Sequence, residues 1–322
     1  MEVIDLVVAL QFQVIFLGTA GSVPTPSRSL PCIAVRRKGE LLLFDCGEGA
    51  QRQFIRAGIG FPSKFRIFIS HLHGDHVLGL PGLLQTMSLL DRSAPLEIYG
   101  PKGVFDFIDA VKRTVRFALT FDVRVFEVEE GVVLDEKEYV VEARWACHTV
   151  PCLAYAIVEK PRPGTFYPEK AISLGVPRGP LWKRLQMGFS VKLPDGRVVE
   201  PTQVLGPPKP GVKVAYSGDT RPCSSVVELA RGADLLIHEA TFDDSLSVKA
   251  AEDGHTTASQ AAEIALKAGV KYLALTHISA RYEGDVSKIL SQASSIFPNV
   301  IVAEDFQVLD LYPAFKVSSL AT

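Results

Sequence analysis

The chain has 322 residues, of which 47% are hydrophobic, and its mean hydropathy is +0.19. This composition excludes general disorder and predicts a substantial core in one or two domains. No apolar run reaches the roughly 18 residues that span a bilayer, so a membrane protein is not expected. The net charge of −2 conceals a local asymmetry.

The cysteines and the N-terminal segment bear on the cellular compartment. Five cysteines are scattered along the chain and form no C-x-x-C pair, which predicts no disulfide framework and favours a reducing compartment. The segment 1–10 is apolar but short, carries two acidic residues and has no basic region, so it makes a poor secretory signal. We therefore expect a cytoplasmic protein.

Short apolar runs separated by Gly, Pro and Ser clusters predict a series of strands, and helical runs lie between them. In chain order we predict strands at 13–17, 32–36 and 41–45, a helix at 49–57, a strand at 65–69, a helix at 82–90, strands at 139–146 and 213–217, a helix at 224–230, a strand at 235–239, a helix at 257–268, a strand at 272–276, a helix at 285–295 and a strand at 300–303. Strands that alternate with helices indicate a layered α/β protein.

Residues 159–213, here called the arm, differ from the rest of the chain. They hold ten of the 21 prolines and seven glycines. Ten Lys and Arg against four acidic residues leave the arm at +6, so the remainder of the chain carries −8. A solvated, proline-stiffened surface loop would explain this composition. A basic segment with aromatic residues on an acidic body also fits binding to a phosphate backbone.

The most informative motif follows the strand predicted at 65–69. The run His71-Leu72-His73-Gly74-Asp75-His76 places three imidazoles and a carboxylate within six residues. Borderline-soft dications such as zinc prefer imidazole nitrogen and accept carboxylate oxygen. The run therefore predicts a metal site.

Further ligand-type residues lie downstream at the ends of predicted elements. His148 and His277 each follow a predicted strand, and Asp219 follows the strand at 213–217. Active sites of layered α/β proteins gather at such strand ends. These three residues would complete two metal sites, with the two carboxylate oxygens of Asp219 as a bridge. Two cations about 3.5–4 Å apart suit a phosphodiester displacement, because they stabilise both the attacking and the leaving oxygen.

Taken in order, these motifs resemble the metallo-β-lactamase fold and, in detail, the tRNase Z family. The likeness runs from about residue 13 to 312. The segments that carry it are Gly18–Pro24 with Arg28, Leu43–Gly49, His71–His76, Leu78–Gly82, His148, Leu174–Pro180, Val214–Pro222, His238–Thr241, Gly254–Thr257 and Thr276–Tyr282. One small departure is Thr256-Thr257, where the family pattern has Ser-Thr, and it keeps the hydroxyl.

The resemblance implies a four-layer αββα sandwich, formed by residues 1–322 as one domain with the arm inserted. It also implies two zinc ions. One would be held by His71, His73 and His148, the other by Asp75, His76 and His277, with Asp219 between them. Asp45 would orient a ligand imidazole through a hydrogen bond, although a strand-end turn would also explain an aspartate there.

The implied activity is removal of the 3′ trailer from precursor tRNA, by hydrolysis on the 3′ side of the discriminator nucleotide. Asp75 would accept the proton of the attacking water. His255, oriented by Glu239, would protonate the leaving 3′-oxygen. A salt bridge or helix start would also explain Glu239, and a capping role would explain His255.

Substrate contacts are also implied at two places. Near the metals, Arg281, Ser279 and Thr257 would bind the substrate, although an ion pair would explain Arg281 and a capping box would explain Thr257. In the arm, the implied tRNA contacts are Gly179, Pro180, Lys183 and Arg184. The short form of the family is a homodimer, in which the arm reaches the tRNA bound by the partner.

Two alternatives remain open on the sequence. The first is another hydrolase of the same fold that acts on a small phosphodiester, lactone or thioester. The second is an inactive RNA-binding relative. The basic arm argues against the first, and the complete set of expected ligands argues against the second. The role of His238 stays open.

Overall fold

Two β-sheets face each other in the computed structural model, which describes residues 12–312 and 314–320. The segment 1–10, predicted to be a poor secretory signal, lies outside these residues. Across the described ranges, no helix has the length and apolar character needed to cross a membrane.

The strands are β1 (Phe12–Gly18), β2 (Ala20–Gly21), β3 (Cys32–Arg37), β4 (Glu40–Phe44), β5 (Phe65–Phe68), β6 (Leu96–Gly100), β7 (Val123–Glu127), β8 (Gly131–Asp135), β9 (Tyr139–Trp145), β10 (Leu153–Glu159), β11 (Val191–Lys192), β12 (Val198–Val199), β13 (Lys213–Tyr216), β14 (Leu235–Glu239), β15 (Tyr272–Thr276), β16 (Ile278–Ser279), β17 (Val300–Val302), β18 (Gln307–Tyr312) and β19 (Lys316–Ser319).

The α-helices are α1 (Ala50–Arg56), α2 (Gly74–Val77), α3 (Gly79–Leu89), α4 (Val104–Thr114), α5 (Pro168–Ser173), α6 (Pro180–Gln186), α7 (Pro201–Val204), α8 (Ser224–Ala230), α9 (Ser247–Asp253), α10 (Ala258–Ala268) and α11 (Ser287–Ser294). Short 3₁₀ turns span Asp244–Leu246 and Ala280–Tyr282.

The first sheet has the order β19-β18-β1-β3-β4-β5-β6-β7, and the second has the order β17-β15-β14-β13-β10-β9-β8. Strands β4 to β7 run parallel, as do β13, β14, β15 and β17. Parallel strands place their carboxyl ends at one edge of a sheet, where ligands typically bind. This arrangement determines where the polar residues after each strand lie.

Alternation along the strands explains the four layers. Leu43 and Ile67 belong to the core formed between the first sheet and α1, α3 and α4. The next residues, Phe44 and Phe68, point the other way and contact Tyr155 of the second sheet at ring-centroid distances of 6.0 and 5.5 Å. Helices α8, α10 and α11 pack on the second sheet. The αββα order is confirmed.

The predicted elements are found within a few residues of their expected bounds, and the differences have local causes. The helix expected from residue 82 begins at Gly79, because Pro81 sits in the first turn, where its missing N–H is not needed. The helix expected from residue 285 begins at Ser287, whose N–H donates to the side chain of Asp285 at 2.8 Å. Strands β2, β6 to β8, β10 to β12, β16, β18 and β19 were not predicted, nor were helices α2, α4 to α7 and α9.

Residues 136–139 and 158–211, which include most of the arm, form a compact unit of their own. Its core is made of Ala171, Val176, Leu185, Val191, Leu193, Val199 and Val204. The indole of Trp182 donates to the carbonyl of Val176 at 3.1 Å and packs against Phe166. The arm therefore belongs to a unit with its own apolar interior, and the solvated loop that the sequence left open as an alternative is not what forms here.

Candidate metal centre

The polar residues predicted for the site lie just beyond the ends of six strands. Asp45 follows β4, the His71–His76 run follows β5 and His148 follows β9. On the second sheet, Asp219 follows β13, Glu239 ends β14 and His277 follows β15. Residues far apart in the sequence thus reach one edge.

A first group of ligand atoms comes from His71, His73, His148 and Asp219, all within 4.8 Å of one another. His73 Nδ1 lies 3.0 Å from His71 Nε2 and 3.2 Å from His148 Nε2. Asp219 Oδ2 lies 3.7 Å from His71 Nε2. This is the group expected from the sequence for one metal.

A second group comes from Asp75, His76 and His277. The Nε2 atoms of His76 and His277 lie 3.4 Å apart, and Asp75 Oδ2 lies 3.5 and 3.4 Å from them. Asp219 Oδ2 is 3.3 Å from both nitrogens. Asp219 therefore lies between the two groups, in the position expected of a bridge.

Hydrogen bonds on the far side of each ring decide which nitrogen carries a proton. The Nδ1 atom of His76 donates to Asp45 at 2.7 Å, and that of His148 donates to the carbonyl of Gly254 at 2.8 Å. The Nδ1 atom of His277 donates to Thr241 Oγ1 at 2.8 Å. Each Nε2 therefore presents a lone pair to the cluster.

The same holds for His71. Ser70 Oγ donates to Asp45 Oδ2 at 2.8 Å and so accepts from His71 Nδ1 at 2.9 Å. Lone pairs from four rings converge with the carboxylates of Asp75 and Asp219, and the amide of Ser22 donates to Asp75 Oδ2 at 2.9 Å. Within the described residues, Asp219 Oδ1 is buried without a hydrogen-bond partner. These acceptors repel one another unless a cation lies among them, so the donor set fits divalent metal ions.

The pKa shifts agree with a demand for positive charge. Burial opposes ionisation of Asp219, but His277 and His76 outweigh it and hold the pKa of this carboxyl well below its usual range. Burial likewise opposes a charge on His76, yet Asp219 and Asp45 raise the pKa of His76 well above normal. For His71, burial dominates and lowers the pKa, which favours the neutral, ligating form.

Asp45 is completely buried next to the candidate metal ligands. Its carboxylate accepts from the amide and the hydroxyl of Ser70, from His76 Nδ1 and from the Tyr216 hydroxyl at 2.7 Å. Asp45 thus holds the imidazole of His76 in a fixed orientation, and its role toward a metal ligand stays a prediction.

The backbone is constrained at the same place. Asp45 and His277 both have φ near +58°, a left-handed conformation that few residues other than glycine adopt. A Cβ atom on Gly21 would lie 2.6 Å from His277 Nδ1, so only glycine fits beside this ligand. Unfavourable conformations of this kind persist only where surrounding contacts hold them.

Beside the metal ligands, Glu239 and His255 form a buried pair. His255 Nδ1 lies 2.9 Å from Glu239 Oε1, and Glu239 Oε2 accepts from the Thr241 hydroxyl at 2.7 Å. Burial would lower the pKa of His255, but the charge of Glu239 and its hydrogen bond raise it to about 9. The expected pairing of the two residues is therefore present in the structure.

The residues expected to bind the substrate near the metals occupy different positions. Arg281 and Ser279 line a cavity of about 440 Å³ together with His255 and Phe242. Thr257 is buried and forms a capping box with Gln260 at the start of α10, the structural role that the sequence also allowed.

The expected tRNA contacts of the arm lie in the second unit. Gly179 precedes α6 with φ of 130°, a conformation that requires glycine, and Pro180 begins the helix. Lys183 and Arg184 are exposed in its last turn. Their binding to RNA stays a prediction.

His238, whose role was open, is completely buried and belongs to none of the candidate metal-binding groups of the described residues. Its Nδ1 bonds to the carbonyl of Glu239 at 2.7 Å, and its Nε2 has no partner within the described part of the chain.

Sequence reasoning missed the residues that hold the ligands. Ser70, Thr241 and Tyr216 each bond to a ligand or to the residue that orients it. Hydroxyl residues are common everywhere, so only their position within the quoted motifs could have marked them.

Comparisons with known proteins support the fold and the metal site described above. A family model described as "Beta-lactamase superfamily domain" matches residues 198–278, and one described as "Anti-Pycsar protein Apyc1" matches residues 12–108. The crystal structure of human tRNase Z, short form, is similar with a TM-score of 0.66 and 31% identity, and the match covers 96% of this chain and 100% of that one. The fold and the cluster define a metallo-β-lactamase-fold protein with a site for divalent metal.

Relatives with higher sequence identity show to which family within this fold the chain belongs. Ribonuclease Z of Methanosarcina acetivorans is 48% identical over 299 residues, which are 93% of this chain and 98% of that protein. Ribonuclease Z of Methanothermobacter thermautotrophicus is 49% identical over 93% of this chain and 96% of its own. The chain belongs to the ribonuclease Z family.

We expect Asp45→Asn to weaken metal binding about 10- to 100-fold, because the neutral amide no longer holds His76 as a ligand. Competition with a chromophoric chelator would measure this. Asp91→Asn is the matched control, since Asp91 has a similar positive φ of 54° but is exposed and outside the cluster. Equal metal affinity in the two variants would contradict the role given to Asp45.

Proposed function

We propose that this chain is a zinc-dependent endoribonuclease that removes the 3′ trailer of precursor tRNA. It would cut on the 3′ side of the discriminator nucleotide and leave a 3′-hydroxyl on the tRNA. The observation that carries the proposal is the buried Glu239–His255 pair beside two groups of side chains that could hold metal ions, in a chain of the ribonuclease Z family. The similarity to relatives named ribonuclease Z and to human tRNase Z supports the substrate class. The cytoplasmic location is part of the same proposal.

Two zinc ions fit the donor atoms. His71, His73 and His148 would hold one, Asp75, His76 and His277 would hold the other, and Asp219 would contact both. Imidazole-rich sets with few carboxylates favour zinc over magnesium or calcium. When bound, the zinc pair would activate water for attack on phosphorus and stabilise the charge of the phosphate.

The proton steps fall to residues of the chain. Asp75 Oδ2 already accepts from the amide of Ser22 at 2.9 Å, which fixes this carboxylate at the edge of the cluster, where it would accept the proton of the attacking water. Glu239 binds Nδ1 of His255, so the opposite edge of that ring is available in the cavity. His255 would donate its proton to the leaving 3′-oxygen.

Arg281 would position the substrate phosphate. Its guanidinium contacts Ser279 Oγ at 3.2 Å, lies 5.7 Å from the centre of the Phe242 ring, and forms no ion pair with a carboxylate within the described residues. A guanidinium cation that pairs with no carboxylate of the described residues, in the cavity that His255 also lines, suits a phosphodiester.

The arm would bind the tRNA body through its backbone, away from the cut. Its charge of +6 and its exposed Lys183 and Arg184 support contact with phosphates rather than readout of bases. As part of the proposal, the chain forms a homodimer, and each arm serves the tRNA bound by the other copy.

The decisive experiment is incubation with a precursor tRNA that carries a 3′ trailer. We expect one cut after the discriminator nucleotide, loss of cutting after treatment with a chelator, and recovery with about two zinc ions per chain. Mapping of the product ends and metal analysis would measure these outcomes. Activity on small phosphodiesters or esters alone would favour the other hydrolase, and binding of tRNA without cutting would favour the inactive relative.

Glu239→Gln should lower kcat for precursor tRNA by about 10²- to 10⁴-fold, because His255 loses the charge that keeps it a proton donor. Metal content should stay unchanged, since Glu239 lies outside both ligand groups. Glu263→Gln on the exposed face of α10 serves as the control for a lost surface carboxylate. Loss of metal in Glu239→Gln would instead assign this residue to the metal site.

The double variant Lys183→Ala/Arg184→Ala should raise KM for precursor tRNA and leave hydrolysis of a small phosphodiester unchanged. The salt dependence of tRNA binding should fall by about one unit for each lost phosphate contact. Lys112→Ala/Arg113→Ala on α4 is a matched control, with two adjacent basic residues in the last turn of another helix. An equal effect of the two double variants would refute a specific role of the arm.

A further inference from the structure

Two of the five cysteines differ from the others in their exposure. The described structure holds all five as free thiols, and Cys32, Cys46 and Cys152 are buried. Cys147 is exposed and Cys223 is partly exposed. These two residues are 76 positions apart in the sequence, yet they lie together beside the metal centre.

Backbone pairing brings the two segments together. Cys147 and Arg221 form an isolated antiparallel bridge, in which the amide of Arg221 donates to the carbonyl of Cys147 at 2.8 Å. Thr220 Oγ1 accepts from the amide of Cys147 at 3.0 Å and lies 3.5 Å from Cys223 Sγ. The amide of Cys147 and the thiol of Cys223 therefore both contact the hydroxyl of Thr220.

Each of these segments carries a metal ligand. His148 directly follows Cys147, and Asp219 precedes Cys223 by four residues. Any covalent link between the cysteines therefore acts on the distance between a ligand of one group and the carboxylate that lies between both groups.

We propose that Cys147 and Cys223 are a dithiol pair that closes to a disulfide under oxidising conditions and thereby weakens metal binding at the adjacent centre. The inference rests on the proposed metal centre but not on its substrate. The fold explains why formation of the disulfide would displace the neighbouring metal ligands. Residues offset by two positions across an antiparallel bridge lie roughly 7–8 Å apart at Cα. A disulfide spans about 4.4–6.8 Å between Cα atoms, so one segment must move toward the other.

The surroundings of Cys223 also favour reaction. Burial alone would raise the pKa of this thiol, but hydrogen bonds to Ser225 and Thr220 outweigh it and lower the pKa. A lower pKa gives more thiolate, the form that attacks disulfides.

The reaction balances with a small disulfide as oxidant, for example oxidised glutathione. One cysteine thiolate attacks a sulfur of the oxidant, its S–S bond breaks, and one glutathione thiol leaves. The second cysteine then displaces the other glutathione from the mixed disulfide. The protein loses two protons and two electrons overall, and oxidised glutathione gains them to give two glutathione thiols.

The test uses the full chain, loaded with zinc and exposed to oxidised glutathione. We expect the intact mass to fall by two hydrogens, a cross-linked peptide that joins Cys147 to Cys223, and at least about tenfold weaker zinc binding that a thiol reductant restores. Zinc release to a chromophoric chelator gives a readout that is independent of RNA cleavage.

The variants Cys147→Ala and Cys223→Ala provide the controls. Both should bind zinc as the reduced protein does, and neither should lose zinc on oxidation. A stable glutathione adduct in place of the disulfide, or a disulfide that leaves zinc affinity unchanged, would overturn the inference. If the reduced protein binds zinc but cuts no tRNA, the proposed function fails and this inference stands or falls on the zinc measurement alone.

Discussion

The hydrogen bonds of the buried Asp45 carboxylate are the interactions on which the site depends. The carboxylate accepts from Ser70 in the loop after β5, from the ligand His76, and from Tyr216 at the end of β13. It therefore joins both sheets at the edge where the metal ligands lie. A buried, charged group costs free energy unless it is fully hydrogen-bonded, so these partners also fix the relative position of the strand ends. The left-handed backbone at Asp45 is held by the same contacts.

A single hydroxyl group, that of Thr241, links the candidate metal ligands to the proposed proton donor. The Thr241 hydroxyl donates to Glu239 and accepts from His277 Nδ1, and it lies 3.3 Å from His255 Nδ1. One hydroxyl thus sets the orientation of a metal ligand and stands beside the pair that would move a proton. Because hydrogen bonds in such networks support one another, a change at Thr241 would disturb both functions together.

Some residues of the candidate site could be predicted from the sequence, and others could not. The His71–His76 run was recognisable because its ligands are adjacent in the chain. Asp219 and His277 were recognisable because each follows a predicted strand, and parallel strands bring their ends to one edge. Ser70, Tyr216 and Thr241 could not be assigned from spacing, since their roles depend on which hydroxyl faces which ring. Strand β10 was missed although its first five residues are all buried. A short apolar run of that kind has no period that separates a strand from a buried helix.

The sequence by itself determined the layered α/β class and the family, and it predicted the set of metal ligands, because these depend on residue type and on spacing along the chain. The tertiary structure decided which nitrogen of each histidine faces the cluster, which carboxylate lies between the two groups, and that Cys147 and Cys223 are neighbours. It also showed that the arm has an apolar core of its own, whereas its proline and charge content left a solvated loop open as an alternative. The physical reason is the same in each case. Hydrogen-bond direction and burial depend on contacts between residues that are distant in the chain, and residue type and local spacing do not specify those contacts.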